Sequence, residues 1–126
     1  MTDHIVLRSM AFEGRHGVSA DERSRLQPFE ADVELALDLA PAGRTDDLAR
    51  TVDYGSVFEV VRAVTEMTSH RLLESLAEAI AAAVLDGFPG VDDVVVRVRK
   101  MRPPIDGRLA WAGVEIRRSR SPDAAT

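Results

Sequence analysis

From Phe29 to Leu39 the chain alternates: Phe29, Ala31, Val33, Leu35, Leu37 and Leu39 are apolar, and Glu30, Asp32, Glu34, Ala36 and Asp38 lie between them. Period two over this length predicts a strand with one buried and one wet face. Ile5 to Phe12 reads as an earlier strand, with Val6, Met10 and Phe12 on one face and Leu7 on the other. Gly14 and Gly17 bracket His16 in a turn-rich connection. Pro41-Ala42-Gly43 ends the second strand, and a polar link through Asp46 and Asp47 follows. Val57, Val60, Val61, Val64 and Met67 then recur at helical spacing behind Asp53, whose carboxylate suits an N-cap. A second helix buries Leu73, Leu76, Ala77, Ile80, Val84 and Leu85, and Gly87 and Pro89 stop it. Val91–Arg99 is a third strand, with Val94, Val96 and Val98 opposite Val95, Arg97 and Arg99. Leu109–Arg117 is a fourth, with Ala110, Ala112, Val114 and Ile116 inward.

The predicted order is ββααββ. An α+β fold with two helices on one face of a four-stranded antiparallel sheet buries both apolar stripes. At 126 residues and 45% hydrophobic content this is one core, assigned to residues 1–118, with 119–126 as a disordered tail. The formal charge of −5 argues against nucleic acid as a partner. The absence of cysteine excludes disulfides and thiolate metal sites. No run approaches the ~20 apolar residues of a membrane helix, and Met1-Thr2-Asp3-His4 lacks the features of a secretory signal, so a cytoplasmic protein is expected. His4, His16 and His70 show no paired ligand spacing on one element, so no metal site is expected.

Four short phrases carry more. Glu22 stands in Asp21-Glu22-Arg23 ahead of Gln27-Pro28-Phe29, and Tyr54 closes Thr51-Val52-Asp53-Tyr54. Glu74 follows Leu72-Leu73 and precedes Leu76-Ala77-Glu78, and Lys100 stands before Pro103-Pro104-Ile105. In order and spacing these resemble the dihydroneopterin aldolase family of folate biosynthesis, from about Ile5 to Arg118. The resemblance implies the tunnelling fold, with protomers joined edge to edge into tetrameric rings that stack as an octamer. It implies a small-molecule pterin substrate and retro-aldol chemistry without metal or organic cofactor. If strands two and three were the protomer edges, Glu30, Asp32 and Glu34 would meet Arg97 and Arg99 across each junction.

Read without the resemblance, the four residues are ordinary. Glu74 suits a helix first turn, Lys100 and Glu22 read as surface, the latter in a charged loop, and Tyr54 packs at a helix start. By resemblance, Glu74 grips the ring N–H and 2-amino group of a pterin as a carboxylate matches a donor fork, with the Leu73 backbone beside it. Lys100 is the general acid/base acting through water, with Arg97, Arg99 and Arg102 supplying neighbouring cations. Tyr54 assists protonation, Glu22 holds the side-chain hydroxyls and orders the water, and Val52 and Asp53 add backbone contacts. Residues 52–54 come from the neighbouring protomer. His16 orders its loop.

Three positions depart from the family pattern. Ser9 and Leu26 stand where glycine is usual, and Met101 replaces the proline after the lysine, which predicts a looser loop beside Lys100. Two other functions share the fold expectation: dihydroneopterin triphosphate epimerisation, with Arg99, Arg102 and Arg108 for the phosphates, and pterin binding without turnover.

Overall fold

The computed structural model describes residues 3–120. Strands β1 (His4–Gly14), β2 (Gln27–Ala36), β3 (Asp93–Lys100) and β4 (Ala112–Ser119) form one antiparallel sheet in that spatial order. Two long helices, α3 (Tyr54–Met67) and α4 (Leu73–Gly87), cover one face. α3 lies over β1, and α4 lies over β3 and β4. Two shorter helices precede them, α1 (Ala20–Arg23) and α2 (Ala40–Thr45). The predicted α+β architecture and strand–strand–helix–helix–strand–strand order are therefore present, with the short helices added. Val33, Leu35, Val94 and Val96 from the sheet close on Val57, Val61, Leu76, Ile80 and Val84 from the helices, all fully buried. Asp53 caps α3 as expected, accepting from the Gly55 amide at 2.9 Å. Among the described residues, no helix is long and apolar enough to cross a membrane.

The first strand differs from its predicted facing. Ile5 and Leu7 pack against the core, Val6 is exposed, and Met10 and Phe12 are buried. A bulge is the cause. The β1–β2 register shifts between Leu7 and Met10, and Ser9 takes a positive φ of 54°. One extra residue inverts the alternation, so the apolar set stays inward on both sides of the bulge. The left-handed conformation at Ser9 is the physical reason glycine suits this position.

β2 ends at Ala36 rather than Leu39. Leu39 becomes the N-cap of α2, and Pro41 sits in that helix's first turn, where its missing N–H costs nothing. β4 likewise starts at Ala112, leaving Leu109 and Ala110 in the preceding loop. The chain beyond Arg118, assigned to the tail from sequence, first completes β4 and then binds. Arg120 donates to the carbonyls of Leu85, Phe88 and Val91 at 3.0, 3.2 and 2.6 Å, tying the chain to the last turn of α4 and the turn that follows it. Residues 121–126 lie outside the described residues.

The expected charge junction is intramolecular. β2 and β3 are neighbours at the sheet centre, with Glu30 opposite Arg99 and Asp32 opposite Arg97. The sheet edges are β1 and β4. Arg99 binds Asp32 through two N–H groups at 2.8 and 2.9 Å and reaches Glu30 at 3.0 Å, while Arg97 pairs with Glu34 and Glu115. Asp32 also accepts from the Ser9 amide at 2.7 Å, which ties the bulge to this ladder. The face read as wet thus contains buried ions: Asp32 is 5% exposed and Arg99 8%. The Arg99 guanidinium holds the Asp32 carboxyl below the usual carboxylate range.

Replacing Ser9 by glycine removes the left-handed penalty without disturbing the amide that Asp32 accepts from. Ser9→Gly is expected to stabilise the fold by about 1 kcal/mol. Urea unfolding checks this, and a lowered midpoint would contradict the assigned backbone strain.

Candidate active site

Lys100 is the last residue of β3, at the end of a run in which Val94, Val96 and Val98 face the helices. Alternation puts Lys100 on that same inward face, where it is 7% exposed. Its ammonium lies over the Phe29 ring and 2.6 Å from Glu22 Oε2, a residue 78 positions away. Glu22 is not in a loop, as the charged phrase around it led us to expect. It sits in α1, one turn of helix held by a capping box in which the Glu22 amide donates to Ser19 Oγ at 3.2 Å. The Ser19 amide and hydroxyl in turn donate to Glu22 Oε1 at 3.2 and 3.0 Å. Both carboxylate oxygens are therefore engaged, one by the cap and one by Lys100. These bonds, the one from Lys100 foremost, hold the Glu22 carboxyl down at about 2.

Glu22, Lys100, Leu73 and Glu74 line one cavity of about 270 Å³, together with His16, Gly17, Val18, Arg71, Leu72 and Pro104. Glu74 occupies the first turn of α4, whose N-terminus has no side-chain cap. Its carboxylate has no hydrogen-bond or ion-pair partner among the described residues. One wall thus presents a paired ammonium and carboxylate, and the other an open carboxylate at the positive end of a helix. Gly17 is required at this approach, because a Cβ there would fall 2.7 Å from Glu22 Cδ. Gln27 completes the support, donating to the carbonyls of Glu22 and His16 at 2.8 and 3.3 Å.

Val52, Asp53 and Tyr54 are elsewhere. They lie at the start of α3, where Val52 and Asp53 line a second cavity of about 530 Å³ with Gly87, Phe88 and Pro89 from the far end of α4. The 15 residues of α4 separate the two cavities by roughly 22 Å. Tyr54 is 68% exposed. Within one chain, then, Glu22, Leu73, Glu74 and Lys100 converge and residues 52–54 do not.

Two expectations about the surroundings of Lys100 change. Arg97 and Arg99 point to the opposite sheet face and are held by carboxylates, so the charge beside Lys100 is Glu22. The segment after Lys100 is also tied down rather than loosened. The Met101 amide donates to the Pro28 carbonyl at 3.2 Å, a bond that proline could not make.

The model of the family described as FolB, dihydroneopterin aldolase, matches residues 5–117. The chain belongs to the dihydroneopterin aldolase family. A dihydroneopterin aldolase of Methylorubrum extorquens is 41% identical over 126 residues, spanning 100% of this chain and 97% of that protein. The E. coli dihydroneopterin aldolase crystallised with neopterin superposes with a TM-score of 0.85 at 28% identity, covering 94% of this chain and 100% of the other. A Burkholderia dihydroneopterin aldolase bound to guanine superposes with a TM-score of 0.77 at 26% identity, covering 94% and 92%. The family's glycine at the position of Ser9 has its explanation in the positive φ found there. At Leu26 no positive φ occurs, so the backbone there makes no demand for glycine.

Of the features that sequence reading missed, the Ser19-x-x-Glu22 capping box carried a readable signal. The Glu22–Lys100 contact carried none, since no local pattern links residues so far apart. Because Glu22 titrates at about 2 in the fold, below its ordinary 4.5, its stabilising contribution is complete above the unfolded value and disappears as pH falls toward 2. Glu22→Gln is expected to lose about 1–3 kcal/mol near neutral pH. Chemical denaturation as a function of pH should show that difference closing on the acid side. A difference constant down to the lowest pH would mean that the pair does not form.

Proposed function

We propose that this chain cleaves 7,8-dihydroneopterin by a retro-aldol reaction, releasing glycolaldehyde and leaving 6-hydroxymethyl-7,8-dihydropterin for folate biosynthesis. The observation that carries this reading is the cavity in which an unpartnered carboxylate, Glu74, faces the Glu22–Lys100 pair. Glu74 receives the ring N–H and 2-amino group of the pterin, two parallel donors that fit one carboxylate. The neopterin and guanine bound by the two solved relatives both present that donor fork, which supports the assignment. Leu73 adds its backbone beside Glu74.

Lys100, as its neutral amine after passing its own proton to solvent, takes the proton from the 2′-hydroxyl through a bound water as the C1′–C2′ bond breaks. C2′ leaves as the aldehyde carbon of glycolaldehyde. The electron pair of the broken bond forms a C1′–C6 double bond while the C6–N5 π pair moves onto N5, which carries a proton, so the dihydropterin becomes an enamine. A proton delivered to C1′ and release of the N5 proton restore the C6–N5 double bond and complete the hydroxymethyl group. The substrate's own ring is the electron sink, so the mechanism calls on no cofactor or metal. Glu22 orders the water and the side-chain hydroxyls while keeping Lys100 oriented. Tyr54, with Val52 and Asp53 at its side, assists the final protonation.

For Tyr54 to reach the cavity it must come from a neighbouring protomer. Its exposure and its distance from Lys100 along α4 support that reading, and the free outer edges of β1 and β4 suit edge-to-edge joining into tetrameric rings that stack as octamers. The same reading takes the enzyme to be cytoplasmic. Re-addition of the enamine to the other face of glycolaldehyde yields the 2′-epimer as a side product. A triphosphate-epimerase reading is weakened because Arg99, one of the cations it needs, is bound by Asp32 and Glu30.

Incubation with 7,8-dihydroneopterin, following both products and the 2′-epimer, tests the activity. Lys100→Ala is expected to reduce turnover by about 10²–10⁴-fold while retaining most pterin affinity. Normal turnover by that variant would refute the assigned mechanism. Glu74→Gln should weaken pterin binding roughly 10–100-fold, the loss of a charged hydrogen-bond pair, measured by calorimetry. For shared sites, Tyr54→Phe and Lys100→Ala protomers refolded together should regain about a quarter of wild-type activity, the fraction of junctions with both groups intact under random mixing. No regain in verified mixed oligomers would place the whole site within one chain.

A further inference from the structure

His16 is 1% exposed and carries two backbone hydrogen bonds of opposite polarity. Its Nε2 lies 2.7 Å from the Thr65 carbonyl near the end of α3, and its Nδ1 lies 3.0 Å from the His70 amide in the α3–α4 link. A carbonyl only accepts and an amide only donates. The ring must therefore be neutral with its hydrogen on Nε2, the one form that serves both partners. Two further bonds join the same segments: the Gly17 amide donates to the His70 carbonyl at 3.0 Å, and Ser69 Oγ donates to the Arg15 carbonyl at 2.5 Å. Phe29 meets the ring edge-on, and the His70 ring stacks on it at 5.7 Å.

The two segments joined here are the two walls of the pterin cavity. Gly17 and Val18 lead into the Ser19–Glu22 cap, while His70 is followed by Arg71, Leu72, Leu73 and Glu74. The spacing between the open carboxylate and the ammonium pair is thus set across the His16 ring. We propose that His16 is a positioning residue for the retro-aldol reaction, setting the separation of Glu74 from the Glu22–Lys100 pair through its bond to the His70 amide. The inference rests on the functional reading above, and it assigns His16 no contact with the reacting atoms.

A hydrogen on Nδ1 would confront the His70 amide and open this link. Burial lowers the His16 pKa below its ordinary 6.5, and the charges of His70 and Lys100 act the same way, against the opposing pull of the Thr65 carbonyl. The titratable groups around the ring are His70, stacked on it from the α3–α4 link, Lys100 from β3, its partner Glu22 from α1, and Arg71 and Glu74 around the start of α4, which line the same cavity. β2 contributes Phe29 and Gln27, and α3 the Thr65 carbonyl. The link is therefore intact near neutral pH and opens on the acid side of 6.5.

The test compares wild type, His16→Leu, His16→Asn and His16→Gln, each checked for folding and assembly. Dihydroneopterin turnover, neopterin affinity and hydrogen exchange of the His70 amide are measured for each. Folded His16→Leu should lose about tenfold or more in neopterin affinity and in kcat/KM, the equivalent of one buried hydrogen bond, with faster His70 exchange. His16→Asn, whose carbonyl oxygen can replace Nδ1 as acceptor, should recover most of the affinity and lack the wild-type acid limb. Should His16→Leu fail to fold, Asn must lie closer to wild type than Gln, which better replaces the donor toward Thr65. Wild-type KM and kcat per folded His16→Leu molecule, or Gln outperforming Asn, would overturn the proposal while leaving the aldolase reading intact. A wild-type protein that neither binds pterin nor turns it over would overturn both.

Discussion

The contact between Lys100 and Glu22 is the constraint around which the rest of the site is arranged. Neither charge could be so enclosed alone, because an unpaired buried ion carries a desolvation penalty of several kcal/mol. The pair forms because three local devices bring its members together. Strand alternation turns Lys100 inward, the Ser19 cap fixes the Glu22 carboxylate, and Gly17 leaves room for it. The Met101–Pro28 bond extends the β2–β3 ladder one residue past Lys100 and holds the strand end in place.

The sheet's two faces divide the labour. Toward the helices it is aliphatic and dry, apart from Lys100 at its end. Away from them, arginines of β3 are interleaved with carboxylates of β2 and β4, so that charges on the central strands are satisfied within one chain. This ladder also absorbs the bulge in β1 through the Asp32–Ser9 bond. The Glu22–Lys100 pair and Glu74 lie at the sheet end where α4 begins, and the segment leading into α3, Val52 and Asp53, lies by the far end of that helix. Within one chain, Glu74 and the Glu22–Lys100 pair share a cavity that Tyr54 does not line.

Much of this was legible in the residues. Alternation in 29–35 and 94–98 marked the central strands, helical spacing marked α3 and α4, and Asp53 announced its cap. Glu22, Leu73, Glu74 and Lys100 were found through phrases similar to a known family rather than by periodicity. The inverted facing of Val6 and Leu7 was not legible, because a bulge depends on what the partner strand offers. Nor was the burial of Asp32 and Arg99, since a charged residue on an outward strand face looks the same whether water or a counter-ion meets it. The turn of helix at Ser19–Glu22 was visible in principle, as a capping box four residues long.

The amino-acid order alone determined the kinds of element and their succession, since backbone preference and the period of apolar residues act over a few positions at a time. Tertiary structure decided which strands became neighbours, that the acidic and basic strands meet inside one sheet, and that Glu22 reaches Lys100 while Tyr54 does not. Those outcomes depend on pairing between segments tens of residues apart. Such pairings are selected by packing and by the need to match every buried charge, and neither requirement leaves a local trace in the chain.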